Sequence, residues 1–161
     1  MPKVSAEHAE ARREQILDGA RRAFARWGYD GATVPRLEQE IGLSHGAIFN
    51  YFDSKLDLFL ALAREDHERF HQLWHEQGFE GLARHIASAD PAWLAIYLEL
   101  HRRLRTDPEL RKRWRAEPFR PLSERDAFAH TILNGLVFAR AAGAKIDVEP
   151  ILRLAKEVLD R

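Results

Sequence analysis

Thr33-Val34-Pro35-Arg36-Leu37-Glu38-Gln39-Glu40-Ile41-Gly42-Leu43-Ser44-His45-Gly46-Ala47-Ile48-Phe49-Asn50-Tyr51-Phe52 is the stretch on which the fold turns. Within it, Gly42 can close one helix in a left-handed conformation, Leu43 can plug the corner, and Ser44 can cap the helix that follows. Thr33 is a good N-cap for the first helix, and Pro35 is tolerated in the first turn because its missing N–H has no helical partner there. Two short helices, one ending at Ile41 and one over residues 45–52, then form a helix-turn-helix. The second has small residues, Gly46 and Ala47, near its start, so its N-terminus can come close to DNA, where free N–H groups and the helix dipole attract phosphate. Ser44, His45, Asn50 and Tyr51 offer hydroxyl, imidazole, amide and phenol groups suited to phosphates or base edges, while Ile48 and Phe52, four apart, face inward. A helical corner in an ordinary bundle fits the same pattern, because this geometry also occurs without DNA.

Working outward, the chain keeps a three-to-four-residue apolar spacing and never sustains an apolar/polar alternation, so the fold class is all-α. Ile16, Ala20, Phe24 and Trp27 share one face of a helix over residues 9–27, which Gly28 ends. After the reading segment, Ser54 and Asp57 resemble a capping box with Asp in place of Glu. A long helix then runs to about Gln77, with Leu58, Leu62, Phe70, Leu73 and Trp74 on a broad apolar face. Beyond Gly78 the punctuation predicts helices over 81–88, 91–106 and 108–115, a linker marked by Pro118 and Pro121, and two final helices over 123–142 and 148–160. The expected domains are a three-helix DNA-binding unit, residues 1–53, and a helical effector-binding and dimerisation unit, residues 54–161.

The 161 residues contain no cysteine, which excludes a disulfide framework and a thiolate zinc site. Charged residues break every apolar run well before about 18 residues, and the first 19 have Arg and Glu where a signal peptide needs an apolar centre. The expectation is a soluble, cytoplasmic chain with no membrane partner. Its 25 basic and 25 acidic side chains cancel, which at face value argues against nucleic acid. Neutrality is an average, however: residues 1–52 carry seven of each sign, 53–100 four basic and nine acidic, 101–125 nine basic and four acidic, and 126–161 five of each. A balanced head implies affinity from a few placed contacts, helix termini and dimer valency, with weak non-specific binding.

From Arg13 to about Leu62 the chain resembles the N-terminal domain of TetR/AcrR-family transcriptional regulators. The likeness is carried by Ile16-Leu17-Asp18-Gly19-Ala20, Phe24-Ala25-Arg26-Trp27-Gly28-Tyr29, Gly31-Ala32-Thr33-Val34, residues 41–52 and Ser54-Lys55-Leu56-Asp57-Leu58-Phe59. The resemblance implies a head that reads double-stranded operator DNA as a homodimer, and a helical body that binds a small effector which lowers DNA affinity. It implies that Thr33 and Arg36 touch the DNA backbone, that Ser44, His45, Gly46, Ala47 and Asn50 enter the major groove, and that Lys55 clamps a phosphate. Two positions depart from the family's usual pattern. His45 stands where many relatives have Arg or Lys, and Phe49 where many have Tyr, so Tyr51 is the candidate to replace the lost hydroxyl. An imidazolium contact would weaken as pH rises through the ordinary histidine value near 6.5.

In the body, Phe128, Ile132, Leu136 and Ala139 line one predicted helix, and Ile151, Leu154, Ala155 and Val158 line another. Both stripes fit a four-helix dimer interface, and both also fit the cover of a monomer core. His67, His71 and His75 recur every fourth residue, a real metal spacing, but a partly solvated ladder has the same spacing and no placed carboxylate accompanies them, so no metal site and no cofactor is assigned. The candidate effector residues are His67, His71, Trp74, Trp93, Tyr97, His101, Asn134 and Phe138, with plain aromatic core as the alternative. The family's members commonly run longer than this chain, so a reduced or absent pocket stays open, and with it an adaptor or an effector-independent DNA-binding protein. No Ser/His/Asp order, phosphate-cradling glycine loop or metalloprotease motif appears, and Glu99 and His101, two apart on a helix, share no face; the chain reads as a non-enzyme.

Overall fold

The computed structural model describes residues 6–114 and 123–159, leaving aside the side chains of Ala92 and Ala95; the expected linker at Pro118 and Pro121 lies outside the described residues. These residues form eight helices: α1 (Ala6–Gly31), α2 (Val34–Ile41), α3 (His45–Phe49), α4 (Lys55–Ser88), α5 (Pro91–Thr106), α6 (Pro108–Trp114), α7 (Glu124–Ala141) and α8 (Glu149–Leu159). No strand occurs among the described residues, as the spacing of apolar positions predicts. The chain divides into two compact units, Met1–Glu65 and Asp66–Arg161.

Helix limits follow local chemistry closely. Gly28 and Gly78, with φ of 67° and 62°, break the helical path inside α1 and α4, at the positions where the sequence places helix ends. The cap at Ser54 forms as expected: its Oγ accepts the Asp57 amide at 3.1 Å and donates to Asp57 Oδ2 at 2.6 Å. Ser123 and Asp126 repeat that arrangement at the start of α7, at 3.1 and 2.7 Å.

In the first unit, Ile16, Ala20 and Phe24 of α1, Leu37 of α2, Ile48 of α3 and Leu58, Phe59 and Leu62 of α4 are buried. Full burial of one such large side chain contributes roughly 1.5–3 kcal/mol. Phe59 meets Phe24 and Tyr29 edge-on, with ring centroids 5.3 and 5.0 Å apart. α1 and α2 approach closely at Gly19, where a Cβ would stand 2.7 Å from Ile41 Cα and 2.7 Å from its Cγ1. Gln15 supports the same crossing by donating from Nε2 to the Ile41 carbonyl at 3.2 Å. Glu65 receives Arg13 and Arg21 at 3.3 and 3.5 Å. In the second unit, Leu82, Ala83, Ile86, Leu94, Leu133, Leu136, Val137, Val148 and Leu152 form the core.

Candidate nucleic-acid interface and body groove

Residues 33–52 fold as two helices around Gly42, whose φ of 76° lets its N–H return to the Glu38 carbonyl and close α2. Leu37, Ile41, Ile48 and Phe52 are buried, so the opposite side of the pair faces outward. On that side Thr33, Arg36, Ser44, His45, Gly46, Asn50 and Tyr51 are exposed and Ala47 is half-buried. A Cβ added at Gly46 would meet nothing within 4 Å, so this turn of α3 presents bare backbone to the outside. Of the sequence-predicted reading residues, all but the half-buried Ala47 and Lys55 are thus exposed.

Details differ from expectation in three places. α3 ends at Phe49, three residues short of the predicted limit, because the Tyr51 amide turns back to the Ile48 carbonyl at 3.0 Å and tightens the chain. Asn50 and Tyr51 thus project from a turn. Thr33 and Ser44 occupy N-cap positions with extended backbone, yet neither side chain makes a cap bond. The α3 cap comes instead from the Glu38 carboxylate, which accepts the His45 amide. Periodicity within one helix gives no sign of that contact, since it joins two helices.

The expected backbone-contacting cations are held by the protein itself. Arg36 donates to the Gly31 carbonyl at 2.8 Å and lies over the Trp27 ring, 5.3 Å from its centroid. Lys55 Nζ donates to the Tyr29 carbonyl at 2.9 Å and sits 4.4 Å from the Tyr29 ring centre. Such anchoring removes side-chain entropy before any ligand arrives. The His45 ring packs on Phe49 at 4.6 Å.

In the second unit an open groove of about 820 Å³ runs between α5 and α7. Four expected effector residues line it: Tyr97, His101, Asn134 and Phe138. Glu99, Arg102 and His130 line it too; Glu99 and His101, two apart on α5 and expected to share no face, both reach this groove, and Arg102 belongs to the basic run over residues 101–125. Burial holds the Tyr97 phenol above its ordinary pKa. Trp74 and Trp93 instead pack against the core, and Phe70 meets Trp93 and Tyr97 edge-on at 5.7 and 5.8 Å. His67 and His71 are exposed, their rings 4.5 Å apart, with Trp114 6.0 Å from His67. Desolvation, with His71 and His101 adding like charge against the opposing pull of Glu68, lowers the His67 pKa. Among the described residues no group of three or more His, Cys, Asp or Glu side chains is placed to hold a metal ion.

The two expected dimer stripes separate into inward and outward members. Leu136 and Ala155, 4% and 1% exposed, belong to the interior of their own protomer and are removed from the outward face. Phe128, Ile132, Ala139 and Ile151 are half-buried, while Leu154 and Val158 are 65% and 53% exposed. Phe138, expected only in the effector set, is 66% exposed. The apolar stripes are wide enough to cover both sides of a helix, and spacing alone does not say which side meets the core.

The profile of the family described as "Bacterial regulatory proteins, tetR family" matches residues 16–62. Over 182 aligned positions, covering 98% of this chain and 96% of the relative, the chain is 38% identical to the HTH-type transcriptional repressor AcnR of Corynebacterium diphtheriae. The chain belongs to the TetR family. Its helix-turn-helix is accordingly the DNA-binding module of that family. It is also 54% identical over 116 residues to the HTH-type transcriptional repressor Rv1474c of Mycobacterium tuberculosis, an alignment spanning 71% of this chain and 62% of the relative's length. The AcnR alignment is longer than the chain's 161 residues, so that relative carries at least 21 positions with no counterpart here. Among solved structures, Salmonella enterica GusR is similar in fold, with a TM-score of 0.56 at 21% identity, over 98% of this chain and 83% of GusR. Among the described residues no helix is long and apolar enough to cross a membrane.

Proposed function

We propose that the chain is a cytoplasmic transcriptional repressor that binds operator DNA as a homodimer, is released by a small molecule, and catalyses no reaction. The observation that carries the DNA assignment is the sorting of residues 33–52 into a buried apolar side and an exposed polar one. Ser44, His45, Gly46, Ala47 and Asn50 then face base edges in the major groove. Thr33, Arg36, Tyr51 and Lys55 face phosphates, and the anchored Arg36 and Lys55 act as pre-positioned cations. The names of the two transcriptional repressors similar to this chain support the direction of control.

The homodimer reading rests on Phe138, Leu154 and Val158, whose exposure in a single chain is the pattern of a stripe awaiting a second copy. Release is assigned to the groove between α5 and α7, where Tyr97 and Phe138 offer apolar surface and His101, His130, Asn134 and Arg102 offer polar groups. The test is fluorescence anisotropy with duplexes selected from a random pool, measured across a salt series. Wild type should bind with an affinity that falls steeply as salt rises, and Asn50→Ala and Lys55→Ala should each weaken it. Equal binding by both variants and wild type would reject the reading surface.

A further inference from the structure

Glu38, half-buried on α2, holds both sides of the helix-turn-helix corner. Its main-chain carbonyl accepts the Gly42 amide at 2.9 Å, which closes α2, while its carboxylate accepts the amide of His45, which opens α3. Ser44 occupies the N-cap position but its hydroxyl does not cap, so the negative end of this arrangement is supplied from the preceding helix. A carboxylate suits the partial positive charge of a helix N-terminus and makes a charge-assisted bond there. The same carboxylate engages the first amide of α3 and places a negative charge beside the exposed Ser44 and His45.

We infer that Glu38 is a positioning and selectivity residue: it fixes the reading helix against α2, and its charge disfavours backbone phosphate at the start of α3, so that binding depends on base-edge contacts. This rests on the assignment of α3 as the DNA-reading helix. Glutamine at this position keeps an acceptor oxygen for the His45 amide and removes the charge; alanine removes both.

The experiment compares wild type, Glu38→Gln and Glu38→Ala by fluorescence anisotropy, each with a duplex recovered by selection from a random pool and with a shuffled duplex of the same composition, over a salt series. For Glu38→Gln the expected result is a slightly lowered melting temperature, a shuffled-duplex affinity raised about threefold, a smaller gain on the selected duplex, and a steeper salt dependence. Glu38→Ala, which loses the α3 cap along with the charge, should bind the selected duplex more weakly than wild type. A Glu38→Gln protein whose selectivity ratio and salt slope equal those of wild type overturns the proposal and leaves the carboxylate a structural cap only. Wild type that binds neither duplex overturns the DNA reading itself, which separates the two failures.

Discussion

Replacing Gly19 with alanine tests how α1 and α2 are held. The added Cβ would lie 2.7 Å from both Cα and Cγ1 of Ile41, about 1 Å inside ordinary carbon contact. Ile41 Cγ1 could rotate away, but Cα is backbone, so α2 itself must move. Forcing an extra methyl into a packed crossing costs roughly 1–3 kcal/mol, and alanine returns about 1 kcal/mol of helix propensity relative to glycine. Because one of the colliding atoms cannot yield by a rotamer change, the upper part of the first range applies and the net loss is about 1–2 kcal/mol. For a chain of this size that is a fall in melting temperature of roughly 2–8 °C. Urea unfolding followed by circular dichroism should show a lower midpoint with an unchanged slope. A midpoint equal to or above that of wild type would falsify the close crossing, since propensity would then be the only term acting.

At Gly46 the opposite balance holds: no atom obstructs a Cβ, so Gly46→Ala should raise thermal stability by up to about 1 kcal/mol while weakening operator binding several-fold; a stabilised variant with undiminished DNA affinity would show that α3 does not approach DNA at this turn. Leu154→Asp places a charge on a side chain already 65% exposed, so the protomer should keep its helical content by circular dichroism while sedimentation shifts from dimer to monomer, and a dimer that persists would move the interface elsewhere. Acidification from pH 7.5 to 5.5 should lower the melting temperature. Desolvation, aided by Arg69, depresses the His85 pKa, and His67 is depressed in the same direction, so in this window the unfolded chain binds more protons than the folded one and stability is lost as pH falls. His85→Gln should flatten that dependence, and an identical slope in the variant would remove His85 as a cause.

Helix punctuation was legible because its chemistry is local. Gly28, Gly42 and Gly78 adopt the backbone angles that end helices, and Ser54 needs only Asp57, three residues away, to cap α4. The candidate reading surface was legible for a related reason: one turn of Gly42-Leu43-Ser44 determines which face of a very short helix is buried. What local pattern left out are contacts between helices. Nothing in the spacing of Glu38 tells that it displaces Ser44 as the cap. Nothing in the stripe of Leu136 and Leu154 tells that the first fills the protomer's own interior and the second faces out, because both lie on apolar helix faces of similar width. Trp74 and Trp93 belong to the same class: ring chemistry suits a ligand or a core, and only packing assigns them to the core.

The five-residue α3 lies far below the length at which a helix persists alone in water, since one turn scarcely repays its own nucleation. α4 and α7 begin with caps contained in their own sequence, whereas α3 borrows its cap from α2. A peptide of residues 43–52 should therefore be largely coil, and in the intact protein the amides of His45 and Ile48 should exchange with solvent only when α2 opens as well. The candidate reading segment is thus cooperative with its neighbour: its order is inherited, and any event that loosens α2 dissolves that surface in the same step.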